Sequence, residues 1–204
     1  MALLLVGCGG DSGSSAQVRV YFLRDGKVWP VAREVEAANA SVAASELRDG
    51  PTEQEQSDLG VTSEVTNEPI SRAALAQIVY TLSQFSPDEP VVVDEQEYTR
   101  ADFEEQTPSV LVESPLPFEE VARPITATGT ANTFEANFQY ELLDSDGNVI
   151  DENFVTATSG TGTRGTFEFT TDDVDDIATL VVFESSAEDG SRIREVEIPL
   201  NTAP

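Results

Sequence analysis

Histidine is missing from the chain, and cysteine and lysine occur once each, at Cys8 and Lys27. Without histidine there is no Ser-His-Asp or Cys-His machinery, no imidazole base and no histidine metal ligand. A single cysteine forms no intrachain disulfide and no cysteine-rich zinc site. Positive charge is scarce: 11 basic residues stand against 38 acidic ones, a net charge of -27. A surface of that sign repels nucleic acid and anionic lipid headgroups, so no nucleic-acid partner is expected. Long apolar runs are lacking as well. Apart from the first few residues, no segment is suited to spanning or anchoring in a membrane.

What remains is an ordinary folding composition. The 204 residues are 39% hydrophobic, enough for one large or two small domains with cores of their own. The patterns divide the chain into a leader and tether over 1–16, a mixed region over 17–106 and an all-β region over 107–204. In the leader, Leu5-Val6-Gly7-Cys8 ends a short apolar run and is followed by small polar residues from Gly9 to Ser15. These four residues resemble a bacterial lipobox, which implies lipidation at Cys8 and a membrane partner reached through that lipid. The bland alternative is a frayed terminus with a chance cysteine. As a nucleophile Cys8 lacks any histidine to activate it.

In the mixed region, Gln17 to Leu23 is strand-like and Asp25-Gly26 is a hairpin turn signal. Val28 to Val35 returns, with Pro30 marking an edge strand or a bulge. Ala38 to Leu47 reads as a helix stopped by Asp49-Gly50-Pro51, and Thr52 to Asn67 reads as mostly loop. Ser71 is an N-cap candidate for a helix whose stripe is Ala74, Leu75, Ile78, Val79, Leu82 and Phe85. Val91 to Val93 is a short strand, and Thr99 to Phe103 a capped turn with Phe103 pointing inward. Val18 to Phe22, the LRDGPT segment Leu47 to Thr52 and the AQIVYTLSQF segment Ala76 to Phe85 resemble the GerMN domain of bacterial sporulation and spore-germination lipoproteins. That resemblance implies an α+β fold without enzymatic activity. The family has further strands between the GPT turn and the helix. Here only Glu53 to Pro69 fills that interval, which predicts a sheet short of a strand pair.

Beyond the Pro108 and Ser114-Pro115-Leu116-Pro117 punctuation, strands are expected at Val110–Glu113, Ile125–Gly129, Phe134–Leu143, Val149–Thr156, Thr166–Thr170, Ala178–Glu184 and Ile193–Leu200. The alternation from Phe134 to Leu142 is unbroken. It predicts a dry face of Phe134, Ala136, Phe138, Tyr140 and Leu142 and a wet face of Glu135, Asn137, Gln139 and Glu141. About seven short strands imply an immunoglobulin-like sandwich. Val112-Glu113-Ser114-Pro115, the stretch Gly129 to Ala136, Gly162 to Phe167 and Glu184 to Ser191 resemble the immunoglobulin-like domain of bacterial spore germination, which implies an extracytoplasmic binding module.

No catalytic residue, cofactor or metal set stands out. Asp144, Asp146, Asn148 and Asp151 have a calcium-loop look but lack the spaced terminal glutamate, so a plain hairpin turn is the simpler reading. Asp172, Asp173, Asp175 and Asp176 read as solvated charge. Arg164, on the glycine-rich loop Ser159 to Gly165, is of a type to hold an anion, against a plain hairpin connection. Trp29 and Tyr98 read as core or as partner contacts. The expected function is a non-catalytic lipoprotein that binds an envelope protein or a cell-wall component, with the wet face of the 134–142 strand as contact surface. The alternatives are a carboxylate-dependent cell-wall glycan hydrolase and a calcium-stabilised structural protein.

Overall fold

A two-residue turn begins the fold. Asp25 and Gly26 both have positive φ, 52° and 74°, the type I′ geometry that matches strand twist. The computed structural model describes residues 16–186 and 188–202, so Cys8 and the tether lie outside the described residues. The turn joins β1 (Ala16–Arg24) and β2 (Lys27–Val35) in an unbroken antiparallel register. Pro30 pairs with Tyr21, whose N–H points away from β2 to Thr81 Oγ1 at 3.0 Å. Proline therefore occupies a site that needs no donor, and β2 is an edge strand without a bulge.

Three helices follow. α1 (Ala40–Asp49) is capped by Asn39, and α2 (Glu53–Leu59) by a Thr52/Glu55 capping box. α2 corrects the expected loop: it is polar and short, so only its cap and the buried Leu59 betray it. α3 (Arg72–Leu82) starts at Ser71 as expected, but the apolar stripe does not account for its buried face. Gln77 and Thr81 are fully buried. With Gln84 they hydrogen-bond the free edge of β1. Gln77 Nε2 donates to Tyr21 O (3.2 Å), and Gln84 accepts from Arg19 N (3.0 Å) and donates to Arg19 O (2.7 Å). Leu23 and Thr62 exchange two backbone bonds at 2.8 Å. β1 and β2 form a two-stranded sheet. Helix side chains satisfy the exposed edge where a strand would otherwise lie.

β3 (Val91–Val93) pairs with β4 (Gln96–Tyr98), a partner strand the sequence reading missed. A 3₁₀ segment over Arg100–Gln106, capped by Thr99 and Asp102, buries Phe103 as expected. β5 (Val110–Ser114) then enters the sandwich. β6 (Glu120–Val121), β7 (Thr126–Ala131), β8 (Asn137–Leu143), β9 (Val149–Thr156), β10 (Gly165–Thr170), β11 (Thr179–Ser185), β12 (Arg192–Pro199) and β13 (Asn201–Thr202) follow. The sheets are β10-β7-β5 and β12-β11-β8-β9, seven strands as anticipated, with β6 and β13 a short parallel pair outside them. The sandwich core includes Phe138, Tyr140, Leu142, Phe167, Leu180 and Val182. Gly129 lets the three-stranded sheet close: a methyl there would overlap the Leu111 carbonyl and lie 2.8 Å from Phe167 Cζ.

The 134–142 alternation is only partly realised. Glu135 and Ala136 adopt left-handed φ, 52° and 61°, within a 3₁₀ turn over Phe134–Ala136, so β8 begins at Asn137. The cause is the loop above. Gly160, with no side chain, packs on the backbone of Ala136, and Thr161 Oγ1 accepts from Glu135 N at 2.9 Å. Phe134 is turned out to solvent, 61% exposed, while Phe138, Tyr140 and Leu142 are buried as expected.

Because Gln77 closes the β1 edge, Gln77→Leu leaves Tyr21 O and Glu64 N without their partner. We expect a loss of about 1–3 kcal/mol in urea denaturation. A neutral substitution would show that the edge does not depend on this side chain.

Candidate functional site: the seam and the outer sheet face

β5 is buried on both faces. Val110 and Val112 lie in the cluster that runs from Phe22, Trp29 and Val31 into the sandwich core, whereas Leu111 packs with Tyr21, Val28, Val79, Tyr80 and Phe103 of the N-terminal part. Glu113, two residues after Leu111, points the same way. Its Oε1 accepts from Arg100 at 2.9 Å, from Arg19 at 3.4 Å and from the Tyr21 hydroxyl. Arg100 is held in turn by Ser83 Oγ (2.7 Å) and lies over the Tyr80 ring, 4.7 Å from its centroid. Burial opposes the charge on Glu113, but Arg100, the Tyr21 hydroxyl and Arg19 outweigh it and hold the carboxyl below the usual range. Burial, followed by the charge of Glu113, pushes the Tyr21 phenol well above its ordinary value.

A second clasp uses Arg164. Its guanidinium grips Glu104 with two bonds, 2.9 and 2.8 Å, and reaches Pro108 O at 2.8 Å. Asn132 Nδ2 donates to the same carboxylate at 2.8 Å. The Arg164 bonds are the chief reason the Glu104 carboxyl is held low. Arg164 is therefore an internal clasp and not an open anion site on its glycine-rich loop.

The other candidate residues are placed as follows. Asp144 Oδ1 accepts from the backbone N–H groups of Asp146 (2.9 Å) and Asn148 (2.8 Å), and Oδ2 from Asn148 Nδ2 (2.9 Å). Asp151 Oδ2 accepts from Tyr140 OH (2.8 Å) and Asp172 N (3.0 Å). The Asp144 oxygens are occupied within the hairpin turn, and the Asp151 oxygen by Tyr140 of β8 and by the backbone after β10. Arg123 pairs with Asp175. Among the described residues no three acidic groups converge as a metal set, and no helix is long and apolar enough to cross a membrane. Trp29 is core, 6% exposed, and Tyr98 packs on Phe103 with centroids 5.7 Å apart.

The outer face of the four-stranded sheet departs from the expected wet strip. Glu141 is buried, paired with Arg192, and Arg192 also covers the buried Phe183 at 4.4 Å from its ring centroid. Gln139 stands opposite Phe154 on the edge strand β9, and Phe154 is 74% exposed. Sequence reasoning missed Phe154 as a surface residue. It sits beside Val155, which faces the core, and strand alternation was the signal available.

Residues 109–191 match the family described as the immunoglobulin-like domain of bacterial spore germination. The match opens one residue before β5 and ends in the turn before β12, about two-fifths of the chain. It meets the resemblance expected for the all-β half. No curated protein and no solved structure is detectably similar to the chain. The clasp residue Arg164 and the seam residue Glu113 both lie inside the matched range, and each bonds a residue outside it.

Glu113 predicts a specific pH response. A carboxyl with a lowered folded pKa contributes stability above its unfolded value, about 4.3, and that stability is lost as pH falls through the folded value. At pH 7, Glu113→Gln is expected to cost about 3 kcal/mol. The gap to wild type should narrow steadily as pH falls below the unfolded value and towards the lowered folded one. Denaturation at several pH values reads this; a gap constant with pH would refute it.

Proposed function

We propose that the chain is a lipid-anchored extracytoplasmic protein of the bacterial envelope that binds and positions a partner there without catalysing a reaction. The observation carrying this reading is the spore-germination immunoglobulin-like match over 109–191, joined to a lipobox-like Leu5-Val6-Gly7-Cys8 ahead of it. In this reading Cys8 carries the lipid, the N-terminal part is a shortened GerMN-like domain, and the assembly acts in sporulation or spore germination. The partner is an envelope protein or a cell-wall component.

The contact surface is the outer face and free edge of β9. Phe154 presents an aromatic side chain to solvent, and β9 ends its sheet with unpaired backbone groups. An edge strand with one exposed aromatic is suited to strand addition, with backbone bonds supplying affinity and Phe154 selectivity. The clasped seam supports this role, because it holds β9 at a fixed angle to the N-terminal part.

Two measurements test the proposal. Growth of the native organism with a palmitate analogue should label the protein, and Cys8→Ala should abolish the label. A native Cys8 without label removes the anchor. Crosslinking from the native envelope should capture a partner that Phe154→Ser loses. That substitution should shift stability by only about 0.5 kcal/mol, because the residue is at the surface. Undiminished capture by the variant would exclude β9, and turnover of purified peptidoglycan would replace binding with hydrolysis.

A further inference from the structure

A cleft of about 390 Å³ lies between the β1–β2 hairpin and the sandwich, within the size range of small-ligand sites. Arg24, Lys27 and Trp29 come from the hairpin, Ser109 from the segment leading into β5, and Arg194 and Val196 from β12. Three features converge here. First, Arg24 and Lys27 are cross-strand partners at the hairpin turn, which sets the two cations side by side. Second, among the described residues neither lies within 4.0 Å of a carboxylate, whereas seven of the ten arginines do. With 38 acidic residues for 11 basic ones, unpaired cations are the exception in this chain, and two of them share one wall. Third, two lining residues have buried polar atoms without protein partners: the indole Nε1 of Trp29 on the hairpin and the Oγ of Ser109 ahead of β5. Each costs about 1–3 kcal/mol unless something accepts or donates there.

The lining sets three cations, Arg24, Lys27 and Arg194, beside three acidic residues, Asp25, Glu104 and Glu195, a balance far less negative than that of the whole chain. At physiological ionic strength charges more than about 8 Å away are largely screened, so an anion in the cleft responds to its immediate lining. Asp25 and Glu195 line the cleft as well, and Glu104 is already engaged by Arg164 and Asn132. Arg24 lies over the Trp29 ring at 4.6 Å, which orients its guanidinium while leaving its edges available. Lys27 spends one of its three N–H groups on Glu105 O at 2.6 Å. Arg194, on the opposite wall, is exposed and reaches Glu184 with NH1 at 2.9 Å.

We propose that this cleft binds a small organic dicarboxylate, one carboxylate held by Arg24 and Lys27 and the other directed towards Arg194, with the short carbon chain lying along Trp29 and Val196. The site stands on these residues alone and does not rest on the envelope reading.

The chain carries two built-in reporters. Trp29 is the single tryptophan and Lys27 the single lysine. Succinate, glutarate and citrate are titrated against the full chain at about 0.15 M salt, near physiological screening, with glutaramide as the neutral control. We expect saturable change in Trp29 emission with at least one carboxylate probe, and slower acylation of Lys27 by an amine-reactive ester, read by peptide mass. Arg24→Gln and Lys27→Gln should each weaken binding about tenfold, the loss of one charge-assisted contact. Both positions are away from the core, and an unchanged melting curve confirms that each variant folds. The proposal is overturned if none of the three probes acts, if glutaramide acts equally, or if both variants bind like wild type.

Discussion

The two halves of the molecule meet along β5. The strand is five residues long, yet Val110 and Val112 lie in the large cluster that joins the sandwich core to Phe22, Trp29 and Val31, and Leu111 lies in the smaller cluster around Tyr21 and Tyr80. A strand buried on both faces leaves no room for a charge, and Glu113 is tolerated only because Arg100, Arg19 and Tyr21 converge on one of its oxygens. Gly129 then allows β7 to approach this strand closely. Edge closure by α3, the Arg100 network and the Arg164 clasp all brace the same joint.

The bracing explains where polar residues sit in this protein. Gln77 and Thr81 are buried and Glu113 is half-buried, each of them completing a backbone edge or a seam. In an acidic chain the arginines are therefore committed mostly to internal pairing, and the exceptions carry information. The outer sheet face shows the same economy: Arg192 neutralises Glu141 and shields Phe183, while Phe154, one strand away, is left to solvent.

Much of this was legible in the sequence where periodicity is local. The Asp25-Gly26 turn, the Ser71 cap, Phe103 and the seven strands follow from neighbouring residues, and the immunoglobulin-like half carried a family signature. Hidden features fall into two kinds. α2 has one buried residue and no apolar rhythm, so only its Thr52/Glu55 cap marks it. The Phe134–Ala136 kink, the Arg164–Glu104 clasp and the Gln77 edge closure join residues far apart in the chain, and hydropathy ranks a buried glutamine as a surface one. The same limit applied to the cleft, because Lys27, Trp29 and Arg194 are brought together only by the docking of the hairpin on the sandwich.

The sharing of β5 has a thermodynamic meaning. A module bounded by sequence similarity begins at residue 109, but the strand at that boundary is half of someone else's core. Melting either half exposes Leu111 or Val110 and Val112 to water and strips the partners from Glu113. Unfolding either part therefore deprives the other of contacts at β5, and a stretch of family similarity need not coincide with a unit of folding.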